Sequence, residues 1–424
     1  MNVPALNESQ SLRYFTFFYL YVMQGIPSGF ALTAIANFLL AEHIEPHRIG
    51  TFVAIVGLPW TIQFIWGPLI DRYQFSIIGH RKHWIVLAQI VAIIASLSLL
   101  VVKDPTHQLS LLSIVFFVHS IFASIQDASV DAMAISIVPL NERGRLNGFM
   151  RGGFLLGIAL GSAGLSFLLH RYGFRMAALT QSCLLLLFTV IFFFTKLNHS
   201  DPLLPFGYKK KQAVAEAANP RISILFKKIY TGITNKKSLR YFAFIAFVYF
   251  CSGVFIRAYI YHLIHVLKWS DSSVSMMQGG WGSAITFGAI ILGGVTSDKM
   301  GPKSMQVKVM WGVAIFLIII NGLSHLWHYN VFSGAGLVLW NLADPLLSVS
   351  IFPILMALCE EKVEGSQFTA YMAMINLCDV LASYLTGWVL GLVAAPILGM
   401  GCGILILILL LLIRKNNTYS VIPG

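Results

Sequence analysis

The chain has 424 residues, of which 57% are hydrophobic and 11% are charged. A soluble domain carries roughly 25% charged and 45–50% apolar residues. Too little polar surface is therefore available to coat a water-soluble globule. The net charge of +12 is read as basic loops on the cytoplasmic face of a polytopic membrane protein and not as a nucleic-acid surface.

Residues 1–11 are polar, and the apolar run after them is too long for the h-region of a cleaved leader, so no signal peptide is expected. A spanning helix needs roughly 20 predominantly apolar residues. Spans are predicted near 12–40, 48–70, 83–103, 108–138, 146–169 and 175–195. After a polar stretch, six more follow near 240–266, 274–296, 306–327, 331–358, 367–393 and 395–413. The predicted organisation is an N-terminal six-helix bundle (1–196), a basic cytoplasmic linker (197–238), and a C-terminal six-helix bundle with a short tail (239–424). The linker holds Lys209, Lys210, Lys211, Arg221, Lys227, Lys228, Lys236 and Lys237 against Asp201 and Glu216. An amphipathic piece near 222–233 suits the membrane surface, so lipid is an expected partner.

With the N-terminus inside, the cytoplasmic loops hold Arg72, Arg81, Lys82, Arg143, Arg145, Lys299, Lys303, Arg414 and Lys415. The opposite loops hold far fewer basic residues, among them Arg48, Lys103, Arg171 and Lys268. This bias predicts an inner (plasma) membrane protein with both termini cytoplasmic. The acidic loop Glu360–Glu364 dissents, but acidic residues contribute little to orientation. Gly25-Ile26-Pro27-Ser28-Gly29 is expected to interrupt the first span, and Gly57-Leu58-Pro59 the second. Gly153, Gly157, Gly161 and Gly164 form a small-residue stripe on the fifth span, which favours close helix packing. The five cysteines lack metal or redox spacing and read as packing residues. No cofactor is expected, and the chain is read as a monomer.

Ionisable groups within spans are costly, and each is a candidate for function. His119, Asp127 and Asp131 lie on the fourth span, Arg257 on the seventh, Asp344 on the tenth and Asp379 on the eleventh. Asp127 and Asp131 are four residues apart and share a helix face. Neighbouring carboxylates in a low dielectric favour holding a proton between them, as a proton carrier must. The competing reading is a structural pair or helix cap. Arg257, with Tyr259 and Tyr261 nearby, suits an anionic, partly apolar solute. Its alternative is a structural pair with a carboxylate such as Asp344. His119 can shuttle protons, although lone histidines are more often simply hydrogen-bonded. Asp379, near Asn376, Ser383, Thr386 and Gly387, fits a helix contact as well as a pathway.

One motif occurs twice, about half a chain apart: Gly67-Pro68-Leu69-Ile70-Asp71-Arg72 and Gly294-Val295-Thr296-Ser297-Asp298-Lys299. Both copies end an apolar segment, as two homologous halves would, and two such halves in a membrane protein point to alternating access. An aspartate at a helix end beside a cation can hold a gate closed. Asp71, Arg72, Asp298 and Lys299 are therefore expected to act in gating.

A G-x-x-x-D-[RK] loop after the second and eighth of twelve spans resembles the signature of the major facilitator superfamily. The first copy carries an insertion, Tyr73 to Ile78, before Gly79-His80-Arg81-Lys82-His83-Trp84. With that insertion, the stretch from Gly57 to Trp84 is similar to AmpG-type muropeptide permeases. So are Ala123-Ser124-Ile125-Gln126-Asp127-Ala128-Ser129-Val130-Asp131-Ala132, Pro139-Leu140-Asn141-Glu142-Arg143-Gly144 and Ser366-Gln367-Phe368-Thr369-Ala370. That branch also contains siderophore importers and acetyl-CoA transporters. Enteric AmpG permeases have two further spans, so the length of this chain is closer to the siderophore importers. The resemblance implies an all-α integral membrane fold of two pseudo-symmetric six-helix bundles. It also implies a cavity lined by spans one, four, seven and ten, which carry Gln24, Asp127, Arg257 and Asp344; Tyr261 joins Arg257 as an expected substrate contact.

The expected function is proton-driven import of a bulky polar or anionic solute, muropeptide-like or siderophore-like, with small molecules and protons as partners. A CoA-ester transporter is the alternative within the class. An integral-membrane enzyme is a reading of another class, but no H-E-x-x-H or G-x-S-x-G occurs in the sequence. Nor is there a G-x-x-x-x-G-K-[ST] loop for ATP drive. A transporter-like sensor is the third reading and would usually add a soluble signalling domain.

Overall fold

The computed structural model describes residues 5–73, 81–139, 143–198, 223, 226–227, 230–231, 234, 236–357 and 364–415. Most of the expected linker and its amphipathic piece therefore lie outside the described residues, as does the acidic loop apart from Glu364. Secondary structure among the described residues is helical, apart from one isolated bridge between Ala5 and Lys196. Helices satisfy their backbone polar groups internally, which a bilayer demands. Among the described residues, eleven helices are long and apolar enough to cross a membrane.

The first predicted span is α1 (Gln10–Gly29), a π-helical turn at Phe30–Ile35, and α2 (Ala36–Ala41). Pro27 lies inside α1, and the irregularity follows it by three residues. Proline leaves a carbonyl without its N–H partner, and a local π adjustment is one remedy. The second span is α3 (Pro46–Thr61), a short 3₁₀ turn at Gln63–Ile65, and α4 (Trp66–Arg72). Here too the helix continues through Pro59 and breaks just after it. α5 (Lys82–Ser98), α6 (Leu109–Ile137), α7 (Arg143–Ala159), α8 (Leu165–Tyr172) and α9 (Phe174–Phe194) follow.

The C-terminal helices are α10 (Lys236–Tyr261), α11 (Asp271–Ser275), α12 (Gly282–Met300), α13 (Pro302–Gly322), α14 (Asn330–Trp340), α15 (Ala343–Ala357), α16 (Glu364–Val389) and α17 (Ala395–Lys415). Twelve spans were expected; the predicted eighth, 274–296, is helical, and the side chains at positions 291, 294 and 295 along it lie outside the described residues. It is interrupted by a π turn at Met276–Trp281, and α12 ends on polar Ser297, Asp298 and Lys299.

The chain forms two compact units: Met1–Phe30 with Ile62–Lys228, and Ala31–Thr61 with Ile229–Gly424. This grouping follows contacts, whereas the division expected from sequence follows chain order. The chain passes from one unit to the other at the two irregular points of its first and second spans.

In the first unit, α1 lies against α7 with backbone touching backbone. A Cβ on Gly157 would stand 2.8 Å from the Cα of Gly25, and one on Gly161 would stand 2.8 Å from the N of Phe30. Gly153 meets the carbonyl of Phe18, and Gly29 meets Ile158. The predicted stripe is thus a packing seam, except that a Cβ at Gly164 would meet nothing within 4 Å. Lys82, expected in a cytoplasmic loop, is only 3% exposed. Its Nζ donates to the carbonyls of Phe193 (2.8 Å) and Thr195 (2.7 Å). A cation is favourable there because the last carbonyls of a helix are unpaired and carry partial negative charge. Neighbouring Arg81 donates to the carbonyl of Ala132 at 2.6 Å.

In the second unit, α3 packs against α16 through two glycines. A Cβ on Gly50 would fall on the carbonyl of Ser383 and 3.2 Å from the Cα of Gly387; one on Gly387 would stand 3.0 Å from the Cα of His47. Asn37 Nδ2 donates to Ser275 Oγ (2.9 Å) and Gln278 Oε1 (3.1 Å), tying α2 to the segment around α11.

Candidate functional site

Among the described residues, candidate polar groups inside the spans gather around Asp127 and Asp131 in the first unit and around Arg257 in the second. In the first unit, Asp127 and Asp131 sit one turn apart on α6. Asp127 Oδ2 accepts from Gln63 Nε2 at 2.5 Å, and Asp131 Oδ1 accepts from Tyr21 OH at 2.5 Å. Each carboxylate is thus fixed by a different element: the 3₁₀ turn in the second span, and α1. Trp66 Nε1 donates to Ser124 Oγ at 3.0 Å and holds the start of α4 against α6. Arg151 on α7 lies within electrostatic reach of Asp127 and Tyr21, and the two aspartates act on each other. Gln24 is buried at 4% exposure, on the same face of α1 as Tyr21. The cluster can hold a proton between acceptors that are themselves held in place.

His119 is 5% exposed, and its Nδ1 lies 3.0 Å from the carbonyl of Ala92. This contact ties α6 to α5, and the hydrogen-bonded alternative therefore describes its geometry.

In the second unit, a cavity of about 230 Å³ opens between α2, α3, α10 and α16. Arg257 and Tyr261 line it together with Asp379, Asn37 and Gln278. Arg257 Nη2 donates to Asp379 Oδ2 at 2.8 Å, and Nη1 donates to the carbonyl of Gly253 at 3.0 Å. The sequence reading offered Asp344 as a carboxylate partner for this arginine; the one it meets is Asp379 on the eleventh span. Asp344 stands in the first turn of α15, outside this cavity lining. Tyr261 stacks on His265, with ring centroids 5.0 Å apart.

The duplicated motif ends two helices, α4 at Arg72 and α12 at Met300. Lys299 is exposed. The side chains of Asp71 and Asp298 lie outside the described residues, and so do Gly79 and His80 of the basic cluster.

Sequence reasoning passed over Tyr21, Gln63 and Arg151. Arg151 had a signal, since it is a charge within a candidate span, Gly148–Tyr172. Gln63 is an amide among apolar residues next to a proline-weakened helix. Tyr21 had none, because a tyrosine in an apolar helix is common.

A family model described as Major Facilitator Superfamily matches residues 14–383. A Rickettsia prowazekii protein named AmpG 1 is 21% identical over 406 residues, covering 87% of this chain and 91% of that protein. The anhydromuropeptide permease of Escherichia coli K12 is 28% identical over 174 residues, covering 38% of this chain and 34% of the permease. Among solved structures, the xylose transporter XylE from E. coli, partially occluded and inward open, superposes with a TM-score of 0.68 at 14% identity, covering 95% and 97% of the two chains. A POT family transporter with a bound thioalcohol-conjugated peptide gives 0.71 at 11% identity, covering 97% of each. At such identities these structures speak for the fold alone. The family match spans both units and most of the described helices, and the chain belongs to the major facilitator superfamily, with AmpG-like permeases among its relatives.

Proposed function

We propose that this transporter is a proton-coupled importer of a bulky polar or anionic solute, working by alternating access with both termini in the cytoplasm. The observation that carries the reading is the Asp127–Asp131 pair, held on one face of a membrane helix by Gln63 and Tyr21. Two carboxylates inside a span are costly unless they do work there. In this reading Asp127, sharing with Asp131, takes a proton from the outer side and releases it inside. Gln24, Arg257, Tyr261 and Asp344 contact the solute. Asp71, Arg72, Asp298 and Lys299 act in the gate. The AmpG-like relatives favour a muropeptide-like solute, and a siderophore-like one fits the same polar, anionic description.

The test is uptake into proteoliposomes under an imposed pH gradient, with an anhydromuropeptide, a ferric siderophore and a CoA ester as trial solutes. Wild-type protein is expected to accumulate one of them above equilibrium. Asp127→Asn is expected to lose that accumulation and keep solute counterflow, since an uncoupled carrier only equilibrates. Full pH-driven accumulation by Asp127→Asn would refute the proton role.

A further inference from the structure

We infer that the cavity around Arg257 and Asp379 is a subsite for a zwitterionic group on the solute, of the α-amino-acid type. The anionic end faces the guanidinium and the ammonium end faces the carboxylate. This inference rests on the solute-carrier reading above and adds a chemical requirement to it.

Size comes first. The cavity is about 230 Å³, below the roughly 300–1,000 Å³ of pockets that enclose a whole drug-sized ligand. It takes one end of a bulky solute and not the whole molecule.

Charge comes second. The ion pair is a single contact at 2.8 Å, not a two-pronged one, because Arg257 turns its other terminal nitrogen to Gly253. The Asp379 side chain is 58% exposed and that of Arg257 is 23% exposed, although both lie within candidate spans. A pair that only tied α10 to α16 would repay the desolvation of its charges only with close, two-pronged geometry and its remaining polar atoms hydrogen-bonded. This one leaves carboxylate and guanidinium surface facing the cavity. A simple anion entering here gains on Arg257 and loses on Asp379, and a simple cation does the reverse. A group whose opposite charges stand one carbon apart matches two protein charges 2.8 Å apart and gains on both.

A third observation concerns an idle hydroxyl. Thr386 lines the same cavity and is 1% exposed, and its Oγ1 has no hydrogen-bond partner among the described residues. Buried hydroxyls are normally satisfied, so a ligand atom beside it would complete its bonding. Apolar Leu32, Ile49, Val53, Ile256 and Ile260 also line the cavity, which suits the carbon chain attached to the charged head.

The test uses the purified full-length protein and three probes of one shape: L-phenylalanine, N-acetyl-L-phenylalanine and L-phenylalaninamide. They carry both charges, the negative charge alone and the positive charge alone. Equilibrium binding to wild-type protein is expected to favour phenylalanine by about ten-fold or more, because each single-charge probe meets one like charge. Asp379→Asn is expected to remove the preference over the N-acetyl form, and Arg257→Gln the preference over the amide. Thr386→Val is expected to weaken phenylalanine binding by about five-fold, as the loss of one hydrogen bond implies. Equal binding of the three probes to wild-type protein, or binding of none, overturns the inference without relying on any variant. So does a charge swap, Arg257→Asp with Asp379→Arg, that restores solute uptake while the probes remain undiscriminated. Probe preference with no pH-driven uptake would instead sink the transport reading, and uptake without probe preference would sink only the zwitterion subsite.

Discussion

Single side chains in this protein do work that their residue type does not announce. Lys82 belongs to the basic run after the first motif copy, where cations usually report only membrane orientation. Its ammonium is instead buried on two helix-end carbonyls, with the rings of Phe192 and Phe193 about 5.8 and 5.9 Å away. Removing the donor leaves two buried acceptors unpaired, at about 1–3 kcal/mol. Lys82→Met is expected to lower the melting temperature in detergent, whereas Lys299→Met, at an exposed position, is expected to stay within about 0.5 kcal/mol of wild type. Equal melting of the two variants would mean that the Lys82 contacts contribute nothing. Asp104, in the turn before α6, is a second case. Its carboxylate accepts from the Thr106 hydroxyl (2.6 Å), His107 Nδ1 (2.7 Å) and the Thr106 amide (2.8 Å). These bonds, the Thr106 hydroxyl first, hold its pKa well below the usual carboxylate range. The sign follows from linkage: a depressed carboxylate stabilises the turn above its unfolded pKa of roughly 3.9 and loses that contribution as pH falls through the lower folded value. Exchange protection of the Thr106 amide is therefore expected to persist at pH 4 and to fail only in stronger acid. In Asp104→Asn the protection is expected to be weaker and independent of pH over that range.

Helices meet here at two kinds of surface, and only one was legible in the sequence. The glycine spacing on the fifth span announced close packing, and α7 does lie against α1 with 2.8 Å left for a Cβ between Gly157 and Gly25. Gly164 continues the same spacing and faces open space, because the π turn at Leu160–Gly164 rotates it off the seam. Gly157→Leu is expected to cost about 3 kcal/mol or more, since overpacking against a backbone cannot be relieved by a rotamer change. Gly164→Ala is expected to be neutral. Thermal unfolding and the yield of monodisperse protein measure both, and a well-folded Gly157→Leu would break the packing account. The α3–α16 seam was not legible. Gly50 and Gly387 are isolated in sequence, and nothing local says that they meet. The same limit explains the ionisable groups. Asp127, Asp131 and Arg257 were found because charge in a span is costly wherever it sits. Their partners Gln63, Tyr21 and Asp379 are set by tertiary packing, which a one-dimensional pattern does not carry.

At the scale of the whole chain, composition and span periodicity sufficed for an all-helical membrane fold, and the duplicated loop sufficed for the superfamily. Membrane sidedness rests on charge, and it can be separated from span count by parity. The two motif copies follow the second and eighth spans, both even-numbered, so Arg72 and Lys299 face one side whichever way the protein inserts. Lys103 follows the third span and must face the other side. The excess of Lys and Arg near the motif copies, set against the sparse basic loops opposite, predicts that the Arg72–Lys299 side is cytoplasmic. With the five native cysteines replaced, Lys103→Cys is expected to react with a membrane-impermeant maleimide on intact cells. Lys299→Cys is expected to react only after permeabilisation. Labelling in the reverse order would invert the topology and with it the direction of import. Labelling of both from outside would break the parity itself, which happens only if one predicted span does not cross. The same pair of cysteines therefore tests both the orientation and whether an odd number of spans separates residues 103 and 299.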